Sequence, residues 1–125
     1  MNRMIVKCSD DGKLMEASLF RGRRKIGFAS CLFNEADNSV QIRSLFVTQQ
    51  KNRSSFLNQL LQETEEFAQK KSALSIAAFP GPEPFCSEPW IPLEEEIAFY
   101  VANDYEQATT ALLNSPKLIK RMDTV

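Results

Sequence analysis

Histidine is missing from this chain of 125 residues. Its absence excludes a Ser-His-Asp triad and any metal site built on imidazole. The three cysteines, Cys8, Cys31 and Cys86, are odd in number, widely spaced and without a CxxC pair. That argues against a disulfide framework or a zinc site, and no metal is expected. No apolar run approaches the roughly 18 residues of a membrane span. The apolar part of the opening MNRMIVKCSDDG is too short for a signal peptide. A basic excess is lacking too: the net charge is −1, which argues against nucleic acid as the main partner. One basic run, Arg21-Gly22-Arg23-Arg24-Lys25, lies between two strand-like segments and reads as a solvated hairpin tip. The expectation is a protein of the reducing cytoplasm, with no membrane and no nucleic acid to bind.

What is present is ordinary in proportion. The chain is 43% hydrophobic and 25% charged, the composition of a globular domain. Its length suits one domain spanning 1–125. Turn signals cut the first third into four strand-like segments at Met4–Cys8, Leu14–Phe20, Lys25–Phe33 and Val40–Val47. In the fourth, strict alternation puts Val40, Ile42, Ser44 and Phe46 on one face and Gln41, Arg43, Leu45 and Val47 on the other. The period then switches to helical. Phe56, Leu57, Leu60, Leu61, Thr64, Phe67 and Ala68 form one stripe. Asn52, Ser54 or Ser55 is placed to cap that helix. Ala73–Phe79 reads as the return strand of a βαβ unit, parallel to the fourth strand.

Residues 80 to 92, PGPEPFCSEPWIP, concentrate prolines and the single tryptophan into a stiff loop. Phe85 and Trp90 there suit either a lid on the core or a docking surface. Cys86, flanked by Glu83 and Glu88, reads as an unreactive thiol. Leu93–Ala102 forms a second helix, with Glu94, Glu95 and Glu96 in its first turn, where negative charge is favoured. Ile97, Tyr100 and Val101 share its inner face with Leu93. One or two strands follow, at Thr109–Leu113 and Lys117–Met122. The result is an α/β (α+β) fold with a mixed sheet of about six or seven strands and two main helices.

The joint between the fourth strand and the first helix, VTQQKNRSSFLNQLL, poses the sharpest question. A helix start offers free N–H groups to an anion, yet this loop contains no glycine to bring a phosphate close. On the residues alone, an anion site and a capped turn stand as equals.

Several words in the sequence resemble the GNAT superfamily of acetyl-CoA-dependent N-acetyltransferases. Lys25-Ile26-Gly27-Phe28-Ala29 resembles the family's third strand, and Leu45-Phe46-Val47 the end of its fourth. Leu60-Leu61 and Glu66-Phe67-Ala68 resemble its third helix, Phe99-Tyr100 with Asp104-Tyr105 its fourth helix, and Leu118-Ile119-Lys120-Arg121-Met122 its closing strand. The resemblance covers nearly the whole chain from Met15 onward. It implies acetyl-CoA as cosubstrate and an amine acceptor, small molecule or protein. It implies coenzyme contacts from Phe46, Val47 and the run Asn52, Arg53, Ser54, Ser55, Phe56, Leu57 and Asn58, with Tyr100 as the acid for the leaving thiolate. Two departures stand out. There is room only for a turn where the family has its first two helices. The family's motif positions fall on Asn52, Ser55 and Leu57, none of which matches. Many family members carry a glutamate base on the fourth strand; the nearest position here is Arg43. An active N-acetyltransferase is therefore one expectation. A catalytically silent binding or regulatory module on the same fold is the other, associating through the Phe85–Trp90 loop or a sheet edge. Homodimerisation through that edge is a third.

Overall fold

The computed structural model describes residues 2–49, 51–79, 93–108 and 117–122. The predicted prolines and aromatics of 80–92, with Phe85, Cys86 and Trp90, and the expected strand Thr109–Leu113 lie outside those residues. Four strands run in meander order: β1 (Asn2–Cys8), β2 (Leu14–Arg21), β3 (Arg24–Asn34) and β4 (Ser39–Val47). Helix α1 (Arg53–Lys70) returns the chain to β5 (Ser75–Ala78). Helix α2 (Leu93–Ala102) then precedes β6 (Glu106–Ala108) and β7 (Lys117–Arg121). The seven strands form one sheet in the order β1-β2-β3-β4-β5-β7-β6. Only β4 and β5 pair in parallel, as the intervening helix requires. The β1–β2 connection is a short turn, tied by the Ser9 hydroxyl and the Lys13 amide to Asp11. No helix fits there.

Alternation builds the core. Met15, Ala17 and Leu19 of β2 and Ala29 and Cys31 of β3 turn to one face and are buried. Helix α1 covers that face with Phe56, Leu57, Leu60, Leu61, Thr64, Phe67 and Ala68, the stripe its spacing predicts. Gly27 lets the helix come close. A Cβ there would sit 3.0 Å from Leu60 Cδ1 and 3.3 Å from Val47 Cγ2. Within α2, the predicted Val101 is 50% exposed, while Phe99 packs against the core beside Ile97 and buried Tyr100. Among the described residues no helix is long and apolar enough to cross a membrane.

The strict alternation expected for β4 fails at one point. Ser30 pairs with Ser44 but Cys31 pairs with Ile42, so Arg43 is an extra, unpaired residue. Such a bulge turns the strand over by one residue. Leu45 and Val47 therefore share the α1-facing side with Val40 and Ile42, while Ser44 and Phe46 lie on the opposite side beside Ser30 and Phe28. The Phe28 and Phe46 rings meet there at 6.0 Å.

Few glycines remain for tight turns, and other residues take the left-handed conformation in their place: Asn38, Asn52, Ser72 and Asp104 all have positive φ. Ser72 closes α1, its amide bonding to the Gln69 carbonyl and that of Ala73 to Ala68.

Because Gly27 sits under Leu60, Gly27→Val should cost about 1–3 kcal/mol through overpacking. Urea unfolding followed by circular dichroism measures it; an unchanged midpoint would show that the helix does not press on this strand.

Candidate functional site

β4 and β5 stay together only from Ser39 to Ile42 on one strand and Ser75 to Ala78 on the other. From the Arg43 bulge onward, no described strand pairs with the outer side of β4. The Thr48 amide donates to the Ile26 carbonyl at 2.8 Å. Antiparallel alternation then sends the groups of Phe46 and Ser44 to β3 as well, and those of Leu45 and Val47 away from it. The Leu45 and Val47 amides thus face the gap that β5 leaves. Val47 was expected at the site. The amide of Phe46, the other residue expected there, points to β3, so the outward amide beside that of Val47 is Leu45's. Only the register could have identified Leu45.

The gap leads to the start of α1. Asn52 is the N-cap, at φ 61° and ψ 24°, and its side chain makes no capping bond. A capping side chain reaches the first turn from an extended backbone; the left-handed one does not present it there. The predicted cap is therefore absent. The first helical bond is Phe56 N–H to the Asn52 carbonyl at 3.1 Å. The amides of Arg53, Ser54 and Ser55 precede it and have no helical partner. Ser54, Ser55 and Asn58 are exposed, while Phe56 and Leu57 are buried in the core, Leu57 at 4% exposure. Leu57 therefore leaves the helix start clear. Gln49 braces the turn, donating to the Lys51 carbonyl at 2.8 Å and accepting from Arg21 Nη1 at 3.3 Å. A cavity of about 280 Å³ opens beside it, lined by Asn2, Arg21, Gln49, Lys51, Asn52 and Phe56.

Arg53 adds an electrostatic anomaly. Its Nε and Nη2 are buried and have no hydrogen-bond partner. The residue as a whole is half-buried; its guanidinium keeps its charge, and buried N–H groups left without a partner are costly.

Solved structures give these features a context. A PaiA N-acetyltransferase from Thermoplasma acidophilum, in complex with coenzyme A, superposes with TM-score 0.69 at 16% identity, over 87% of this chain and 61% of that one. A Klebsiella pneumoniae protein described as an acyl-CoA N-acyltransferase reaches TM-score 0.74 at 12% identity, over 98% and 99%. A GNAT-family acetyltransferase from Staphylococcus aureus Mu50 reaches 0.70 at 10% identity, over 90% and 70%. The chain has the GNAT fold. No protein-family model and no curated protein sequence matches it. This chain spans 61% of the length of the Thermoplasma enzyme.

In GNAT folds the implied ligand is a coenzyme with a pyrophosphate. Orphaned amides at the α1 start, the orphaned guanidinium of Arg53 and the unobstructing Leu57 fit such an anion. Arg43, the position nearest the β4 glutamate that the resemblance implies, occupies the bulge and is exposed.

Tyr100 is 5% exposed. Its ring meets Phe99 at 5.4 Å and Tyr105 at 5.2 Å, both edge-on. Tyr105 donates to Glu65 Oε2 at 3.2 Å, which also accepts from Lys120 Nζ at 3.0 Å. Asn103 donates to Asn58 Oδ1 at 3.2 Å and so ties the end of α2 to the first turns of α1. Burial, then the nearby Glu96 charge, pushes the Tyr100 phenol above its ordinary range; burial, then Glu65, does the same to Tyr105. A phenol held neutral in this way is a firm hydrogen-bond donor and a reluctant acid. Burial likewise pushes the Cys31 thiol up to about 12, which makes it inert.

These are the chain's two tyrosines. Their raised values in the folded state mean that stability is fully present below the ordinary phenol value of about 10 and falls as pH rises beyond it. Alkaline titration should therefore show tyrosinate absorbance appearing together with the loss of circular dichroism. Ionisation of either ring in a chain that remains folded near pH 10 would contradict the burial.

Proposed function

We propose that this protein is an acetyl-CoA-dependent N-acetyltransferase acting on an amine, in the reducing cytoplasm. The observation that carries the reading is the combination, at the end of β4 and the start of the helix that follows it, of parted strands, an uncapped helix start and Arg53 nitrogens without a partner. The amides of Arg53, Ser54 and Ser55 and the guanidinium of Arg53 would hold the pyrophosphate. The outward amides of Leu45 and Val47 would pair with the extended arm of the coenzyme and polarise the thioester carbonyl. The coenzyme supplies an activated acetyl group and a thiolate leaving group. Tyr100 would donate a hydrogen bond to that thiolate; its burial favours donation over full proton transfer.

A catalytically silent binding module is the second reading. Arg43 favours it, because a cation stands where a base is usual. Calorimetry with acetyl-CoA and a coupled assay of thiol release separate the two: binding with turnover fits the first, binding without turnover the second. No heat at millimolar coenzyme would sink the first.

Arg53→Ala should weaken acetyl-CoA roughly tenfold to a hundredfold, the worth of a hydrogen bond to a charged group. The loss should shrink with added salt. An unchanged dissociation constant would remove Arg53 from the site.

A further inference from the structure

The bulge that opens the cleft also decides from which side an acceptor can come. α1 fills the face carrying Gly27, Ala29, Leu45 and Val47. An amine approaching over the other face would meet Ser44 as the first residue beyond the bulge. Register continues from Ser44 across the sheet. Ser44 pairs with Ser30, and Ser30 pairs with Glu16. Residues directly opposite one another project to the same face, so one row runs Glu16, Ser30, Ser44 from β2 to the mouth of the cleft. Neighbouring strands lie about 4.8 Å apart, so the row covers about 10 Å between its end residues. The three side chains stand in line on this face, and no hydrogen bond joins them in this structure, so the relay closes only when the hydroxyls turn toward one another.

We propose that Glu16 is the proton acceptor for the amine substrate, acting through the hydroxyls of Ser30 and Ser44. The inference rests on the acetyltransferase reading above. Glu16 is exposed, as is its register partner Lys7 on β1, and the two form no ion pair. No charged residue stands among its β3 neighbours Phe28, Ser30 and Leu32, and Leu14 and Ser18 flank it on β2. Among the described residues no ion pair occupies the carboxylate. An ammonium acceptor passes one proton to the Ser44 hydroxyl, Ser44 passes its own to Ser30, and Ser30 passes its own to the carboxylate. The freed nitrogen pair forms the C–N bond to the thioester carbon, and the C–S bond breaks. The thiolate leaves with that electron pair and takes the second nitrogen proton. The exposed Glu16 carboxyl returns its proton to water. The cation Arg43 then ceases to be a defect, because the base stands two strands away from the position where the family places it.

The experiment compares the wild-type chain with Glu16→Gln, Glu16→Asp and Ser44→Ala. Thiol release is followed with acetyl-CoA and a panel of primary amines (a polyamine, an amino-acid ester and a lysine peptide) across pH. Acetyl-CoA affinity is measured by calorimetry and folding by urea midpoint. The expected result is a loss of about a hundredfold or more in kcat/KM for Glu16→Gln, the scale of general base catalysis. The acid limb of the profile should vanish, with coenzyme affinity and midpoint unchanged. Glu16→Asp should recover part of the rate, and Ser44→Ala should slow transfer while keeping the limb. A Glu16→Gln chain with wild-type rate and limb overturns the proposal, as does a wild-type chain that binds acetyl-CoA but acetylates none of the amines. Failure of the wild-type chain to bind acetyl-CoA overturns the acetyltransferase reading itself and takes this proposal with it.

Discussion

The parallel pairing of β4 with β5 is short, and the site depends on its shortness. A strand inside a sheet satisfies its backbone on both sides. β4 does so only as far as Ile42. Beyond that point it keeps β3 on one side and presents the Leu45 and Val47 amides on the other. Those groups need a partner, and an extended ligand laid along the strand gives the same bonds that a neighbouring strand would. The helix that follows begins at the far end of this open side, so its unpaired amides continue the row of donors. The outward amides of β4 and the unpaired amides of α1 are backbone groups, so this part of the site does not depend on side-chain identity.

The start of α1 illustrates how a motif can be lost while its physical content survives. A glycine gives left-handed backbone freely; an asparagine gives it at a modest cost. By adopting it, Asn52 gives up the side-chain cap that asparagine normally supplies, and the first amides stay unclaimed. Arg53 follows with nitrogens that are buried and unpaired. Each of these would be a small defect in a purely structural turn. Together they have one common remedy, an anion seated at the helix end. The buried Leu57 is compatible with it because the stripe that packs on Leu60 and Leu61 draws that side chain inward.

Most of the framework was legible in the sequence. The α1 stripe from Phe56 to Ala68 was readable because a 3.6-residue period over eighteen residues leaves little choice of face. The turn at Ser9–Gly12 and the βαβ order were readable from punctuation. The bulge was not, because Val40 to Val47 alternates plausibly in either phase, and only pairing with β3 exposes Arg43 as surplus. That single residue misassigned the faces of Ser44 to Val47. Leu45 and Glu16 escaped notice for a related reason. A backbone amide has no sequence signature, and Glu16 acquires its neighbours Ser30 and Ser44 only across strands distant in the chain. Asn52 was read as a cap because its identity suggests one, whereas its φ decides the matter.

Arg43 matters as a count before it matters as a cation. Without it, Ile42 and Ser44 would be consecutive and would keep their partners Cys31 and Ser30. Val40, Ile42, Leu45 and Val47 would still face α1, and Ser44 and Phe46 the other side, now by plain alternation. What a deletion would remove is the bend and the break in the ladder that a bulge brings, at the point where pairing with β5 ends. Exchanging Arg43 for another residue leaves the bulge in place. The bend is set by the spacing of the chain and not by the identity of the residue that stands there.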